Sequence, residues 1–526
     1  MTDRGFQITQ HFDDEDRWTF LTDDEEDLED IQSPDSKPEL SKRVRHVGKL
    51  KDSTAMQILP LDIIYELLPF LETRDLLMFM RSCKALRERG ARHLLCRSIP
   101  VRKIQIFEQF MAASDSRYRY LSHLVYSPRH LVAMDATKLL SVLSQATALQ
   151  SLALLCDMDE LGDMMKTKLF NAAFRIPSLH RLHLSLQGTY NLGDRALLLR
   201  LGPSLTSLRL SFATTTDPFS VLSPALLSNL ETLDLEKTSF MPLETPLLKL
   251  NSLSLHDSIV RTGTLVTSFP NLRHLRISNS GRHAHLPPKE AEMKAVRSIN
   301  EVGQIAHTWP SLDTLSGNLI ALHNHAIAIP VTALHVDTDI VIGIHDQLLD
   351  TVLQDTQPTR LSLTLDHRTA EATSSLLEGV RALIRPAANI RHLSLKVVWR
   401  SCETSAGDVR AAKSFTDALF DMISHSPLET IRLNITKTML FRQPQPDDGV
   451  GLGAHEIALR LAQEITGLRH ILVHYQILNL ERTRMRYWEV LRKGEELDMR
   501  ESEPWIGEQM VGEDVASSEL VAQSWL

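Results

Sequence analysis

Histidine, cysteine and glycine patterns are where chemistry would show first in this chain, and each is incomplete. His283-Ala-His285 and His323-Asn-His325 are two-residue histidine pairs. A metal shell needs three or four N, S or O donors, and no cysteine or carboxylate cluster stands near either pair, so they read as surface or turn histidines. The cysteines Cys83, Cys96, Cys156 and Cys402 have no metal-ligand spacing and are too sparse to staple 526 residues, which points to a reducing compartment. Gly449-Val-Gly-Leu-Gly453 precedes an expected helix over 454–465 without the spacing of either phosphate motif. Neither a nucleophile elbow nor His-Glu-x-x-His occurs. The expectation is a chain with no cofactor, no metal and no catalysis of its own, whose work is binding.

One phrase does recur. Leu-x-x-Leu-x-Leu or its aliphatic equivalent stands at Leu121-Leu124-Tyr126, Leu149-Leu152-Leu154, Leu179-Leu182-Leu184, Leu205-Leu208-Leu210, Leu230-Leu233-Leu235, Leu250-Leu253-Leu255 and Leu272-Leu275-Ile277. Looser copies follow at Leu312-Leu315, Leu334-Val336, Leu361-Leu363, Ile390-Leu393-Leu395, Leu428-Ile431-Leu433 and Leu468-Ile471-Val473. The spacing of roughly 20 to 40 residues brackets the leucine-rich-repeat period and leaves room for one helix between strands. Each strand buries alternate side chains, and no unit covers its own apolar face until a neighbour stacks beside it. Prolines at 177, 203, 270, 310 and 427 sit just before the phrases, where they end a preceding helix. The expected fold class is therefore α/β, with a curved leucine-rich-repeat-like solenoid and parallel sheet over 111–478. A doubly wound α/β domain also alternates strands and helices, but it would not repeat one phrase thirteen times. Strict repeats place Asn or Cys three positions beyond the last strand leucine. This chain has Gln187, Ala213, Thr238, Ser258 and Thr436, so irregular turns are expected.

Positions between the strand leucines fall on the opposite sheet face, which solenoids use for binding. Cations and histidines outnumber acids there, although the whole chain carries −9. The candidate substrate face is Arg181, His183, Arg209, His274, Arg276, Arg360, His392, Lys396 and Arg432, with Asp234, Glu236, His256, His470 and His474 on the same strip. Such a face suits a protein substrate with an anionic or phosphorylated segment, held by charge-assisted bonds from arginine. A solvated polar sheet face is the plainer alternative.

Ahead of the repeats, LPLDIIYELLPFLETRDLLMFMRSCKALRERG carries Ile63, Ile64, Leu67, Leu68 and Leu71 at helical spacing. Thr73 is an expected N-cap with Asp75 in the following turn. Ser82 is expected to cap a third helix that ends near Gly90. Pro69 removes a helical amide and crowds the carbonyl of Tyr65, so the first helix should kink or stop there. In order and spacing, Leu59-Pro60 opening a helix, the apolar run to Leu71, Asp75-Leu76-Leu77 and Cys83-Lys84 resemble the F-box family. The resemblance implies a three-helix F-box that docks the Skp adaptor and, through it, cullin and RING subunits, while the repeats hold a substrate for ubiquitin transfer. Carried over as the adaptor-facing surface or its immediate support are Leu59, Pro60, Ile63, Ile64, Leu67, Leu76, Leu77 and Cys83. The rival is an F-box and repeat scaffold that assembles proteins without ubiquitin transfer.

Residues 13–30 hold eleven Asp or Glu against one Arg, and 37–51 reverse sign with Lys37, Lys42, Arg43, Arg45, Lys49 and Lys51. Too little apolar surface is available there to offset chain entropy, so 1–54 reads as a disordered tail. Residues 55–110 read as the F-box with a linker helix, and 479–526 as a capping helix bearing Met485, Trp488, Val490 and Leu491, then an acidic tail containing Trp505 and Trp525. Net acidity argues against nucleic acid as a partner. The chain shows no signal-peptide core and no stretch of about 20 apolar residues, so no membrane partner and a cytoplasmic or nuclear location are expected.

Overall fold

The structure is a computed structural model. It describes residues 60–506 except 129–130, 157–160, 187–197, 280–289, 306, 341–345, 368–388, 402–416, 418–426, 440–453, 478–481, 494–495 and 505. The tail at 1–54, Leu59, the pair His283/His285, the glycine run at 449–453, Trp505 and Trp525 thus lie outside the described residues. The chain divides into two compact units, Met1–Leu179 and His180–Leu526.

The first unit opens with α1 (Leu61–Leu67), a 3-10 turn over Leu68–Phe70, α2 (Thr73–Ser82) and α3 (Lys84–Leu95). α1 stops one residue before the turn that contains Pro69, as the missing amide requires. Leu68, Leu76, Met80, Leu86, Leu94 and Leu95 form the buried core of these helices. Arg97 Nη2 donates to Pro69 O at 2.8 Å, and the Arg89 guanidinium lies 5.1 Å from the centre of the Tyr65 ring, which ties the N-terminal turn to α3. Three local expectations shift. Thr73 is the first helical residue rather than the cap, which is Glu72. Cys83, not Ser82, precedes α3, because the Ser82 hydroxyl turns back to donate to Phe79 O at 2.7 Å. Gly90 does not end α3; it lies mid-helix because α2 packs so close that a Cβ there would sit 2.4 Å from Met80 Cγ. After α3 come β1 (Ser98–Val101), α4 (Ile104–Ala112), β2 (His123–Tyr126), α5 (Ala133–Gln145), β3 (Ser151–Leu154) and α6 (Asp163–Phe174). β1, β2 and β3 pair in parallel, with Val101, Tyr126 and Leu154 in one register row. β1 precedes residue 111, so strand and helix alternation starts before the first recurring phrase.

The second unit contains β4 (Arg181–Leu186), β5 (Ser207–Thr216), α7 (Pro224–Leu227), β6 (Thr232–Thr238), β7 (Ser252–His256), α8 (Thr262–Ser268), β8 (His274–Ser278) and α9 (Glu290–Gln304). It continues with β9 (Leu312–Gly317), α10 (Leu319–His325), β10 (Val331–Ile340), α11 (Asp346–Thr356), β11 (Arg360–His367), β12 (His392–Ser401), β13 (Thr430–Met439), α12 (Ala454–Glu464) and β14 (His470–Ile477). β4 to β14 pair in parallel, each with its neighbours in sequence. The closing residues of all thirteen recurring phrases fall on strands, β2 to β14, and in most the first leucine stands just before the strand. Because pairing is in register, the strand leucines stack in columns. Leu182, Leu208, Leu233, Leu253, Leu275, Leu315, Leu334, Leu361, Leu393, Ile431 and Ile471 are all buried, each removal from water being worth about 1.5–3 kcal/mol.

The irregular turns have their own ladder. At the end of β6 and just beyond β7, Lys237 and Asp257 take positive φ, and the Thr238 amide donates to Ser258 Oγ at 3.2 Å while that hydroxyl donates to His256 O at 2.9 Å. The Ser258 hydroxyl thus satisfies turn backbone on both strands, and the Thr238 hydroxyl pairs with it at 3.0 Å.

The expected capping helix after residue 479 is instead β15 (Arg482–Lys493), antiparallel to β14, followed by β16 (Glu496–Ser502), antiparallel to β15. The apolar residues of LERTRMRYWEVLRK are compatible with either period. What decides is the open edge of β14, whose unpaired amides and carbonyls β15 satisfies. Tyr487 then packs on Leu472 beside Met485 and Ile506. The fold is α/β with a long, mostly parallel open sheet, and no helix among the described residues is long and apolar enough to cross a membrane.

Candidate functional site

Two surfaces, one in each unit, present side chains that folding leaves uncovered. On α1, the 3-10 turn and α2 the core takes Leu68, Leu76 and Met80, while Leu61, Ile63, Leu67, Phe70, Met78 and Phe79 stay exposed, Phe70 at 85% and Met78 at 60%. Of the residues expected to face an adaptor, Pro60, Ile63, Leu67 and Cys83 are exposed, and Ile64 and Leu77 are half-buried. Leu76 is fully buried and can act only as support. Phe70, Met78 and Phe79 were not singled out by sequence. Their signal is that the run Leu76-Leu77-Met78-Phe79-Met80 is apolar on more sides than one helix face can bury.

On the second unit, every residue of the expected substrate face stands next to a buried leucine, and register sorts them into rows. One row runs Arg181, Ser207, Thr232, Ser252, His274, Thr314 on β4 to β9. The next runs His183, Arg209, Asp234, Ser254, Arg276, Ser316 on the same strands. On β11 to β14 the rows are Arg360-His392-Thr430-His470, Ser362-Ser394-Arg432-Leu472 and Thr364-Lys396-Asn434-His474.

The two stretches differ in electrostatics. On β5 to β10 the cations have acidic neighbours. Arg209 Nε lies 3.3 Å from Asp234 Oδ2, His256 Nε2 lies 3.4 Å from Asp234 Oδ1, and Arg276 Nη2 lies 3.0 Å from Asp337 Oδ2. Ser211 donates to Glu236 Oε2 at 2.6 Å, and His256 Nδ1 contacts Ser278 Oγ. Burial pushes the Asp234 carboxyl up, against the pull of Arg209 and His256, and burial lowers His256. His183, also buried, is pushed down to about 3 by desolvation and then by Arg209, so it is a neutral imidazole at physiological pH. This stretch is a largely self-neutralised network. Asp337 and Ser278, which help make it so, lie outside the leucine phrases, and the sequence carries no sign of their pairing. On β11 to β14 these three rows hold no acid, and the next row, Asp366-Val398-Thr436-Gln476, opens on one.

The pair His323/His325 is not on the surface. Both rings are buried at the end of α10, where Thr262 Oγ1 donates to His325 O at 2.7 Å and burial lowers His325 to about 4. No group of His, Cys, Asp and Glu among the described residues has metal-binding geometry. No protein-family model and no curated protein matches the chain.

Proposed function

We propose that the chain is the substrate-recognition subunit of an SCF-type ubiquitin ligase. In this reading the N-terminal helices form an F-box that docks the Skp adaptor, the alternating strands and helices form a leucine-rich-repeat solenoid, and its sheet face binds a protein substrate. The chain itself is non-catalytic, since ubiquitin transfer belongs to the cullin and RING partners. The observation that carries the proposal is the uncovered apolar set Ile63, Leu67, Phe70, Met78 and Phe79 on helices that already own a closed core. Exposed apolar surface of this kind marks a protein interface. It coincides with the segment whose dipeptide, acid and cysteine resemble the F-box in register.

The test is direct titration of the purified chain with purified Skp adaptor. Wild type should bind, and Ile63→Asp/Leu67→Asp should weaken binding at least about 30-fold, the loss expected of a central anchor worth about 2 kcal/mol. Binding unchanged in that variant, with the fold intact by circular dichroism, would refute the docking surface.

A further inference from the structure

We infer that the outward side of α9 joins a second copy of this chain, the two helices lying antiparallel about a twofold axis that passes between Ser298 and Ile299.

α9 is amphipathic with its polar side inward. α10 is seven residues long, and carbonyls of its last turn take partners from outside it. α9 supplies them: Arg297 Nη1 donates to His323 O at 2.9 Å, Asn300 Nδ2 to Asn324 O at 2.8 Å, and Gln304 Nε2 to Ala326 O at 2.7 Å. Asn300 Oδ1 also accepts from the Thr262 amide at 2.9 Å, and Arg297 Nη2 donates to Asp355 Oδ2 at 2.8 Å. Positions 297, 300 and 304 share one side of a helix of 3.6 residues per turn, and Asn300 and Gln304 are buried there. The opposite side carries Ala295, Ile299 and Val302, with Val296 on its flank and Ile305 just past the helix end. All five are exposed, Val302 at 65% and Ile305 at 84%. Rolling α9 to bury them would strip those carbonyls of their donors, so the apolar side stays outward. Valine and isoleucine lose side-chain freedom in a helix and bring α9 no gain in water. Contact with another apolar surface supplies that gain.

Self-complementarity selects the occupant. With the axis between Ser298 and Ile299, the small Ala295 of one copy faces Val302 of the other, and the two Ile299 side chains flank the axis. Lys294 and Glu301, both exposed, lie seven residues apart on one flank of the apolar side. A twofold axis between antiparallel helices brings that same flank of both copies together, so each Lys294 meets Glu301 of the second copy. Glu301 Oε1 accepts from Arg297 Nε at 2.8 Å within its own helix, and a carboxylate has a second oxygen for the lysine. A partner unlike this chain needs no such match of the face to itself. The 15 residues of α9 make a helix about 22 Å long. Its face is smaller than the roughly 800 Å² per partner of a standard interface, so the dimer is reversible and concentration-dependent.

The test is sedimentation velocity of the full chain from about 1 to 100 µM, the range in which an interface below standard size dissociates. Wild type should pass from monomer to dimer. Ile299→Glu/Val302→Glu should stay monomeric throughout, because dimerisation would bury unpaired charges in the seam. Lys294→Glu and Glu301→Lys should each weaken self-association about three- to thirtyfold, since exposed ion pairs become repulsions. An equimolar mixture of those two variants should recover the dimer, because in the mixed pair both contacts again set glutamate against lysine. Thermal melts report that these substitutions at exposed positions leave the chain folded. Ile63→Asp/Leu67→Asp should dimerise like wild type, which separates α9 from the apolar set on α1 and α2. A wild type that is monomeric at about 100 µM overturns the inference. So does a dimer that survives Ile299→Glu/Val302→Glu or is lost in Ile63→Asp/Leu67→Asp. A mixture no more dimeric than its two components overturns the antiparallel pairing.

Discussion

Gly317 is the position where the leucine column is interrupted, and replacing it by alanine has a cost that follows from geometry. It closes β9, pairing with Ile277 on one side and Val336 on the other, where its neighbours in the row are Leu210, Leu235 and Leu255. A Cβ there would lie 1.9 Å from Ile277 O and 2.9 Å from Ile277 C. Both obstructing atoms are backbone, so no rotamer change relieves the contact. β8 and β9 would have to separate by more than 1 Å, roughly a quarter of the strand spacing. Next to it, Asn318 fixes the start of α10, its side chain accepting from the Ala321 amide at 2.7 Å and donating to Asn279 O at 3.0 Å, so the chain cannot swing away. Overpacking of about 1–3 kcal/mol, plus about 1–3 kcal/mol for backbone forced off its preferred φ, gives a loss of roughly 2–6 kcal/mol for Gly317→Ala. Urea denaturation followed by tryptophan fluorescence is the assay, because Trp309 is fully buried at the entry to β9, with its indole N–H donating to Phe269 O at 2.8 Å. Gly162→Ala, where a Cβ meets nothing within 4 Å, is the control and should stay within about 0.5 kcal/mol. A Gly317→Ala protein within 1 kcal/mol of wild type would refute the steric argument.

Leu76→Ala should cost about 2–5 kcal/mol of stability, while Met78→Ala on the same helix should cost under about 0.5 kcal/mol, since one side chain is fully buried and the other exposed; paired denaturation curves measure the difference. His183 has a folded pKa near 3 against about 6.5 unfolded. The unfolded chain therefore binds the proton first as pH falls, stability is lost below about 6.5, and from pH 7 to pH 5 wild type should lose about 2 kcal/mol more than His183→Gln. Arg209→Ala should cost about 1–3 kcal/mol by leaving the buried Asp234 carboxylate beside His256 alone, with some discount because Arg209 is part-exposed. Adding Asp234→Asn should recover about half of that loss in thermal denaturation, and full additivity would contradict the pairing.

The strands were legible because alternation and period act together. Leu-x-Leu can bury both leucines only as a strand stacked on a copy of itself, so every phrase became β-structure, including the loose ones such as Leu334-Val336. β1 escaped notice since Ser98-Ile-Pro-Val101 has no leucine and carries a proline, which an edge strand tolerates. Arg482–Lys493 misled because long apolar and charged residues fit a helix equally well, and only the exposed edge of β14 makes it a strand. Gly90 looked like a helix end because glycine's freedom is a local signal, whereas its role against Met80 is a tertiary one. For the polar face, alternation identified which residues share it, but ion pairing between Arg276 and Asp337 joins positions far apart in sequence and left no local trace.

As proposed, this chain connects a substrate to a cullin ligase through its N-terminal helices. Affinity purification of the full chain from cells, probed for the Skp adaptor and cullin, tests it most directly with wild type alongside Leu59→Ala/Pro60→Ala. The account predicts both partners with wild type and neither with the variant. Cullin that persists with the variant, or is missing from wild type, would contradict it.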